Sequence, residues 1–164
     1  MFRGRHVRDR QKRGPLVGPT KRGKGTKLMV LADGTGAPLG VHVEKASPSE
    51  VKLLEPTLNN ACAACGKQPQ RLIADRGYDS NAVRALLVKR GIDPIIPARC
   101  NNTAATHQDG RKLRRYRRRW IVQRTHSWLQ RFRRLVVRYE RSAVVFLGLV
   151  HIACALVTLR RVLG

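Results

Sequence analysis

The chain has 164 residues, enough for one modest domain with a core. Its 34 Lys+Arg against 10 Asp+Glu leave a formal charge of +24. Such a surface would repel itself unless a polyanion is its usual partner, and nucleic acid is the first candidate because phosphate neutralisation releases counterions. A ribosome-type or membrane-surface basic protein is the bland alternative. The cysteines Cys62, Cys65, Cys100 and Cys154 form no secreted disulfide framework, so a reducing cytoplasm fits. Cys62 and Cys65 make one C-x-x-C, but no second close pair completes a zinc site, and they read as small residues at a helix end.

Residues 1–27 hold ten basic residues and one acid, with several Gly and Pro. They lack both apolar periodicity and the apolar stretch of a signal peptide, and read as an irregular basic arm. Order is expected from Leu28. Leu28–Ala32 and Leu39–Lys45 flank the turn residues Asp33-Gly-Thr-Gly36 and predict a β-hairpin, with Leu39, Val41 and Val43 on one face. Ser47-Pro-Ser-Glu50 has capping-box spacing, and Val51, Leu54 and Leu58 predict a helix over about 49–62.

Arg71–Asp75 reads as a short strand ending in an acid. A helix over about 80–90 follows, stopped by Gly91, and then a strand at Asp93–Pro97. These strands are expected in one sheet, with Asp75 near the face of the later basic helix. That helix is predicted from Lys112 to Tyr139. It carries an apolar stripe of Leu113, Trp120, Trp128, Phe132, Leu135 and Tyr139, beside a face bearing Tyr116, Arg119 and Gln123. Thirteen basic residues and one acid, Glu140, lie between Arg111 and Arg141, which suits phosphate contact better than a solvated face. Ser142 to Leu163 predicts a last helix. Its 17-residue apolar stretch Ala143–Leu159 sits at the bottom of the membrane-spanning range, and flanking arginines favour a core helix over a membrane span.

Several long segments share one resemblance, in one order. They are Gly18-Pro-Thr-Lys-Arg-Gly-Lys-Gly-Thr-Lys27, Val30-Leu-Ala-Asp-Gly34 with Gly36-Ala-Pro-Leu39, Leu72-Ile-Ala-Asp75-Arg-Gly-Tyr-Asp-Ser80, Gln108-Asp-Gly-Arg-Lys-Leu-Arg-Arg-Tyr116, Arg119 to Arg141, and the tail through Leu159-Arg-Arg161. Together, over roughly residues 17–162, the chain resembles bacterial insertion-sequence transposases of the DDE type. The resemblance implies an α/β, RNase H-like fold: a mixed five-stranded sheet flanked by helices, here lacking its first strand, with a long basic C-terminal helix and a final apolar helix. Residues 1–27 would be the arm and 28–164 a partial catalytic domain, the carboxyl part of a transposase.

The resemblance also implies residue roles. Three carboxylates would hold two divalent ions, usually Mg²⁺, to cut and join DNA strands at the ends of a mobile element. Asp75 stands at the second acidic ligand and Gln123 at the third, where the family has glutamate. Tyr116 and Arg119 match the tyrosine and arginine that help place the phosphate, and a polar residue after the third acid falls at Gln130 or Arg131. Lys21, Arg22, Lys24, Arg117, Arg118, Arg124 and Arg131 are the expected DNA contacts. The first aspartate has no match, because Asp9 lies in unmatched surroundings and Asp33 reads as a turn residue. Glu140 lies about 25 Å from Gln123 along a continuous helix and cannot replace it.

The resemblance, with these departures, implies an impaired transposase acting on double-stranded DNA in the bacterial cytoplasm, associated with the nucleoid and able to form a homo-oligomer. The alternatives are a non-catalytic DNA-binding remnant that interferes with an intact transposase, and a remnant that folds poorly.

Overall fold

Five consecutive apolar residues, Leu28 to Ala32, have no polar alternation, the pattern of a strand covered on both faces. In the computed structural model, which describes residues 2–9, 14–20, 23–99 and 110–163, this run is the middle of the main sheet. Strands β1 (Phe2–Asp9), β2 (Gly18–Thr20), β3 (Gly23–Ala32) and β4 (Pro38–Lys45) come first. A 3₁₀ turn at Glu50–Leu53 leads into α1 (Leu54–Cys65), then β5 (Arg71–Ile73), α2 (Asn81–Lys89) and β6 (Asp93–Ile95). After residues outside the description come α3 (Gly110–Leu113), a 3₁₀ segment at Arg114–Arg119, α4 (Trp120–Leu129), α5 (Arg133–Val136), β7 (Val137–Arg138) and α6 (Ala143–Leu163).

β3 pairs antiparallel with β1 on one edge and with β4 on the other, and β2 continues the β4 edge at Gly23–Gly25. β7 adds parallel to the outer edge of β1, matching Arg8 with Val137 and Asp9 with Arg138. Side chains of β3 alternate between two cores. Met29 and Leu31 join Leu54 and Leu58 of α1, Leu72, and Val83 and Leu87 of α2. Leu28 and Val30 join Val41, Val43, Leu129, Leu135 and four residues of α6, Phe146, Val150, Ala153 and Val157. The result is a mixed sheet with helices on both faces, as the sequence implied.

Four expectations are corrected. The arm is not irregular: β1, β2 and the first residues of β3 lie within residues 1–27. Strand pairing needs main-chain groups rather than apolar alternation, so β1 forms along β3 without the pattern that would have announced it. A strand therefore stands where the sequence pattern suggested none. Second, β5 and β6 form a separate two-stranded parallel sheet instead of joining the main one.

Third, the long basic helix is broken. The chain turns at Gln130–Phe132, resumes as α5, and runs into β7. No Gly or Pro marks the break; tertiary contacts impose it, with Phe132 and Leu135 turned into the second core and Arg138 buried. The inward face of α4 is accordingly Ile121, Val122, Thr125, His126 and Leu129, while Trp120 is 53% exposed and Tyr139 is also exposed. Fourth, Leu39 packs against the first core, apart from Val41 and Val43, because the β3–β4 register shifts between Leu31 and Ala32.

The capping-box reading does not hold, since Ser49 stands at the N-cap without a side-chain cap bond and the Glu50 carboxylate accepts from Tyr78 Oη, but three other local readings do. Ser80 caps α2 by accepting from the Val83 N–H, and Gly91 follows that helix at φ 70°. Cys62 and Cys65 close α1 as free thiols. α6 is long and apolar enough to cross a membrane by length and composition, yet here one side of it packs on β3 and β4 while Val144, Ile152, Leu159 and Val162 are exposed.

α1 lies so close to β4 that a Cβ on Gly40 would sit 2.5 Å from Ala61 Cβ and 2.6 Å from its Cα. Gly40→Ala is expected to cost about 1–3 kcal/mol in urea unfolding by overpacking. Gly34→Ala, which meets nothing within 4 Å, should change stability by less than about 0.5 kcal/mol.

Candidate nucleic-acid interface and acidic site

Arg114–Arg119 is six residues, five of them arginine, in 3₁₀ conformation. Three residues per turn place i and i+3 above one another, so the segment presents three rows: Arg114 with Arg117, Arg115 with Arg118, and Tyr116 with Arg119. In the last row the Arg119 Nη1 donates to Tyr116 Oη at 2.6 Å, and its guanidinium carbon lies 5.1 Å from the ring centroid. The two residues expected to act together are thus in contact. Arg114, Arg115, Arg117 and Arg118 are exposed, and their side chains make no ion pair or hydrogen bond among the described residues.

Asp75 follows β5 at the start of the 3₁₀ turn Arg76–Tyr78, where its Oδ1 accepts from the Gly77 N–H at 2.7 Å. One carboxylate oxygen is therefore used as a cap. Its loop is clasped by Arg99, which donates to the carbonyls of Arg76 and Gly77. Asp79, its side chain fully buried, in turn accepts from the Arg99 N–H at 2.6 Å and Arg84 Nε at 2.9 Å. β5 touches the arginine segment, and Ile73, two residues before Asp75, packs against Ile121 and Val122. Gln123 is the next residue along α4, half-buried, with a side-chain amide that makes no hydrogen bond among the described residues.

The expected DNA contacts divide. Arg117 and Arg118 point to solvent, as do Arg131 and Lys24, and Lys21 and Arg22 lie outside the described residues. Arg124 turns inward. Its guanidinium carbon is 4.7 Å from the ring centroids of both Trp120 and Trp128, one helical turn away on either side. Its Nη2 donates to the Thr35 carbonyl at 2.6 Å, which also accepts from Arg161 Nη2 at 2.8 Å. The buried Nε of Arg124 makes no hydrogen bond among the described residues. Tryptophans four residues before and after an arginine are the sequence signal for this sandwich.

The Thr35 carbonyl is held in place by Asp33, whose Oδ1 accepts from the Thr35, Gly36 and Ala37 N–H groups and the Thr35 hydroxyl. Partial burial pushes this carboxyl up, but those hydrogen bonds outweigh it and hold it below its ordinary 3.8. Asp33 is a turn residue, as its sequence context suggested. Glu140 is likewise committed. The helix break removes the distance argument against it, but its carboxylate accepts from Arg134 Nη1 at 2.6 Å and from the Tyr139 N–H at 3.2 Å. Burial raises the Glu140 carboxyl, and its own N–H together with these donors outweighs that, for a net drop.

Comparison with known proteins settles the family of this arrangement. The family described as Transposase DDE domain matches residues 5–158. The chain belongs to that family. A Burkholderia cepacia protein assigned as the transposase of insertion sequence element IS402 is 36% identical over 162 residues, covering 93% of this chain and 72% of the relative. A Brucella ovis protein assigned to insertion sequence element IS6501 is 27% identical over 135 residues, 82% of this chain and 98% of that one. These relatives make it a transposase-family chain of the insertion-sequence kind.

DDE transposases generally use a divalent metal, and the described residues do not fit one. No three of His, Cys, Asp and Glu gather among them. Asp75 brings one charge with one oxygen already bonded, and Gln123 brings a neutral amide where an anionic oxygen would be needed to offset ion–ion repulsion.

Two outcomes test this geometry. Arg124→Ala should lower unfolding stability by about 2 kcal/mol, through removal of two ring interactions and a hydrogen bond. Arg124→Lys should recover only part, since an ammonium cannot lie flat between two rings. Because the folded Asp33 carboxyl titrates below its unfolded value, its contribution is full above 3.8 and fades as pH falls through the folded value. The stability gap between the wild type and Asp33→Asn, read by urea titration, should therefore be widest near neutrality and close toward acid pH.

Proposed function

We propose that this chain binds duplex DNA at mobile-element ends as a transposase-family protein and carries out little or no strand cleavage. The observation that carries the reading is the Arg114–Arg119 segment. Like charges stacked at i and i+3 repel, and no acid among the described residues compensates Arg114, Arg115, Arg117 or Arg118. An anion supplied from outside relieves that repulsion, and a phosphate backbone offers a row of them. The Tyr116–Arg119 pair sits at one side of this row, and β5, the strand that leads to Asp75, touches the segment, so a bound backbone would pass along the strand that ends at Asp75.

The chemistry is the weaker half of the site. The family's Mg²⁺ chemistry calls for several anionic oxygens, whereas this site offers Asp75 and the amide of Gln123. A chain that keeps the DNA surface without the full acid set can occupy element ends and compete with an intact transposase. That second reading follows from the same residues.

Duplex binding should fall steeply with salt. Replacing Arg114 and Arg117 with Ala should reduce the slope of log affinity against log salt by about 2, at roughly 0.9 for each phosphate no longer neutralised. An unchanged slope would remove this segment from the DNA interface. In a cleavage assay with element-end DNA and Mg²⁺ or Mn²⁺, product should stay at background, and Gln123→Glu alone should not restore it. Metal-dependent cutting by the unaltered chain, abolished by Asp75→Ala, would contradict the reading.

A further inference from the structure

The second row of the 3₁₀ segment does more than face open solvent. Arg115 and Arg118 line a cavity of about 360 Å³, together with Arg71 at the start of β5. Three arginines from two separate segments line it, and none has an ion pair or hydrogen bond among the described residues. The one acid on the rim, Asp33, has its Oδ1 occupied by four donors of its own loop. The half-buried Leu39, Pro69 and Ile73 give the cavity an apolar side. Arg71 lies roughly 13 Å along the strand from Asp75, so this cavity is a different place from the acidic site.

We infer that this cavity takes an unpaired nucleotide at a DNA strand end, its phosphate among Arg71, Arg115 and Arg118 and its base against Leu39, Pro69 and Ile73. The inference rests on the DNA-binding reading above. Three unpaired guanidiniums select an anion. A bare phosphate would leave the apolar side uncovered, and paired bases inside a duplex cannot turn a face toward it. An unpaired nucleotide satisfies both halves, and the volume lies at the lower end of the range for small-molecule sites.

The test compares a blunt duplex, the same duplex with a three-nucleotide single-stranded extension, and that extension made abasic, each binding the full chain by fluorescence anisotropy at one salt concentration. The extension should tighten binding about tenfold, as one well-made charge-assisted site would. The abasic extension should lose most of that gain. Arg71→Gln should lose it too while leaving blunt-duplex affinity within about twofold, and dTMP in excess should compete away the gain but not the blunt binding. Arg71 is exposed, and an unchanged unfolding midpoint would show that the variant folds. Equal affinity for blunt and extended duplexes would overturn the inference and leave the DNA reading standing, as would an equal loss on both from Arg71→Gln. Failure to bind any duplex would overturn both.

Discussion

Everything in this fold is placed by the double-sided burial of β3. Leu28 to Ala32 are all almost fully buried, and each face of the strand holds a different helical layer. Met29 and Leu31 anchor the side carrying α1, α2 and β5, hence the Asp75 loop. Leu28 and Val30 anchor α6 and the end of α4, and Ala32 packs on Ile121 and Val122. The Asp75 side and the Gln123 side of the site are therefore related through one strand, whose hydrophobic burial is the main force available to a chain with so much like charge.

Against that charge, the arginines separate into two populations with different physics. Those turned inward direct their donors to backbone carbonyls and aromatic faces. Arg138, fully buried, donates to the carbonyls of Pro15, Glu140 and Arg141 and to the Thr26 hydroxyl, with Phe146 5.2 Å from its guanidinium carbon. Arg124 holds the Thr35 loop in the same manner, and Arg84 donates both to the Ile96 carbonyl and to the buried Asp79 carboxylate. A delocalised, weakly hydrated guanidinium can be used this way where an ammonium could not. The outward Arg114, Arg115, Arg117 and Arg118 have no such partners among the described residues, and they are the proposed surface for a polyanion.

Sequence periodicity was enough for elements whose own side chains decide them. The β3–β4 hairpin, the Ser80 cap, the Gly91 stop and the final helix are of this kind. It failed where the deciding partner is distant in sequence. β1 carries no apolar alternation and forms on the edge of β3. The turn at Gln130–Phe132 contains neither Gly nor Pro, and comes from Phe132, Leu135 and Arg138 being drawn to the sheet. Arg124 is set apart from the other arginines of its helix by Trp120 and Trp128, a local signal, and by the Thr35 carbonyl, a partner distant in sequence. Asp75 and Gln123 are candidates through family resemblance alone, whereas the use of Asp75 Oδ1 as a cap depends on the Gly77 N–H, which the folded loop brings to it.

The outward arginine row next to the Asp75 loop is the proposed DNA surface, and the inward arginines are structural. Amide hydrogen exchange with and without duplex DNA tests that division most directly, because it reads every segment at once. Added protection is predicted over residues 110–123 and 71–78 on binding, with α6 unchanged. Protection confined to α6, or to segments remote from Arg114–Arg119, would contradict it.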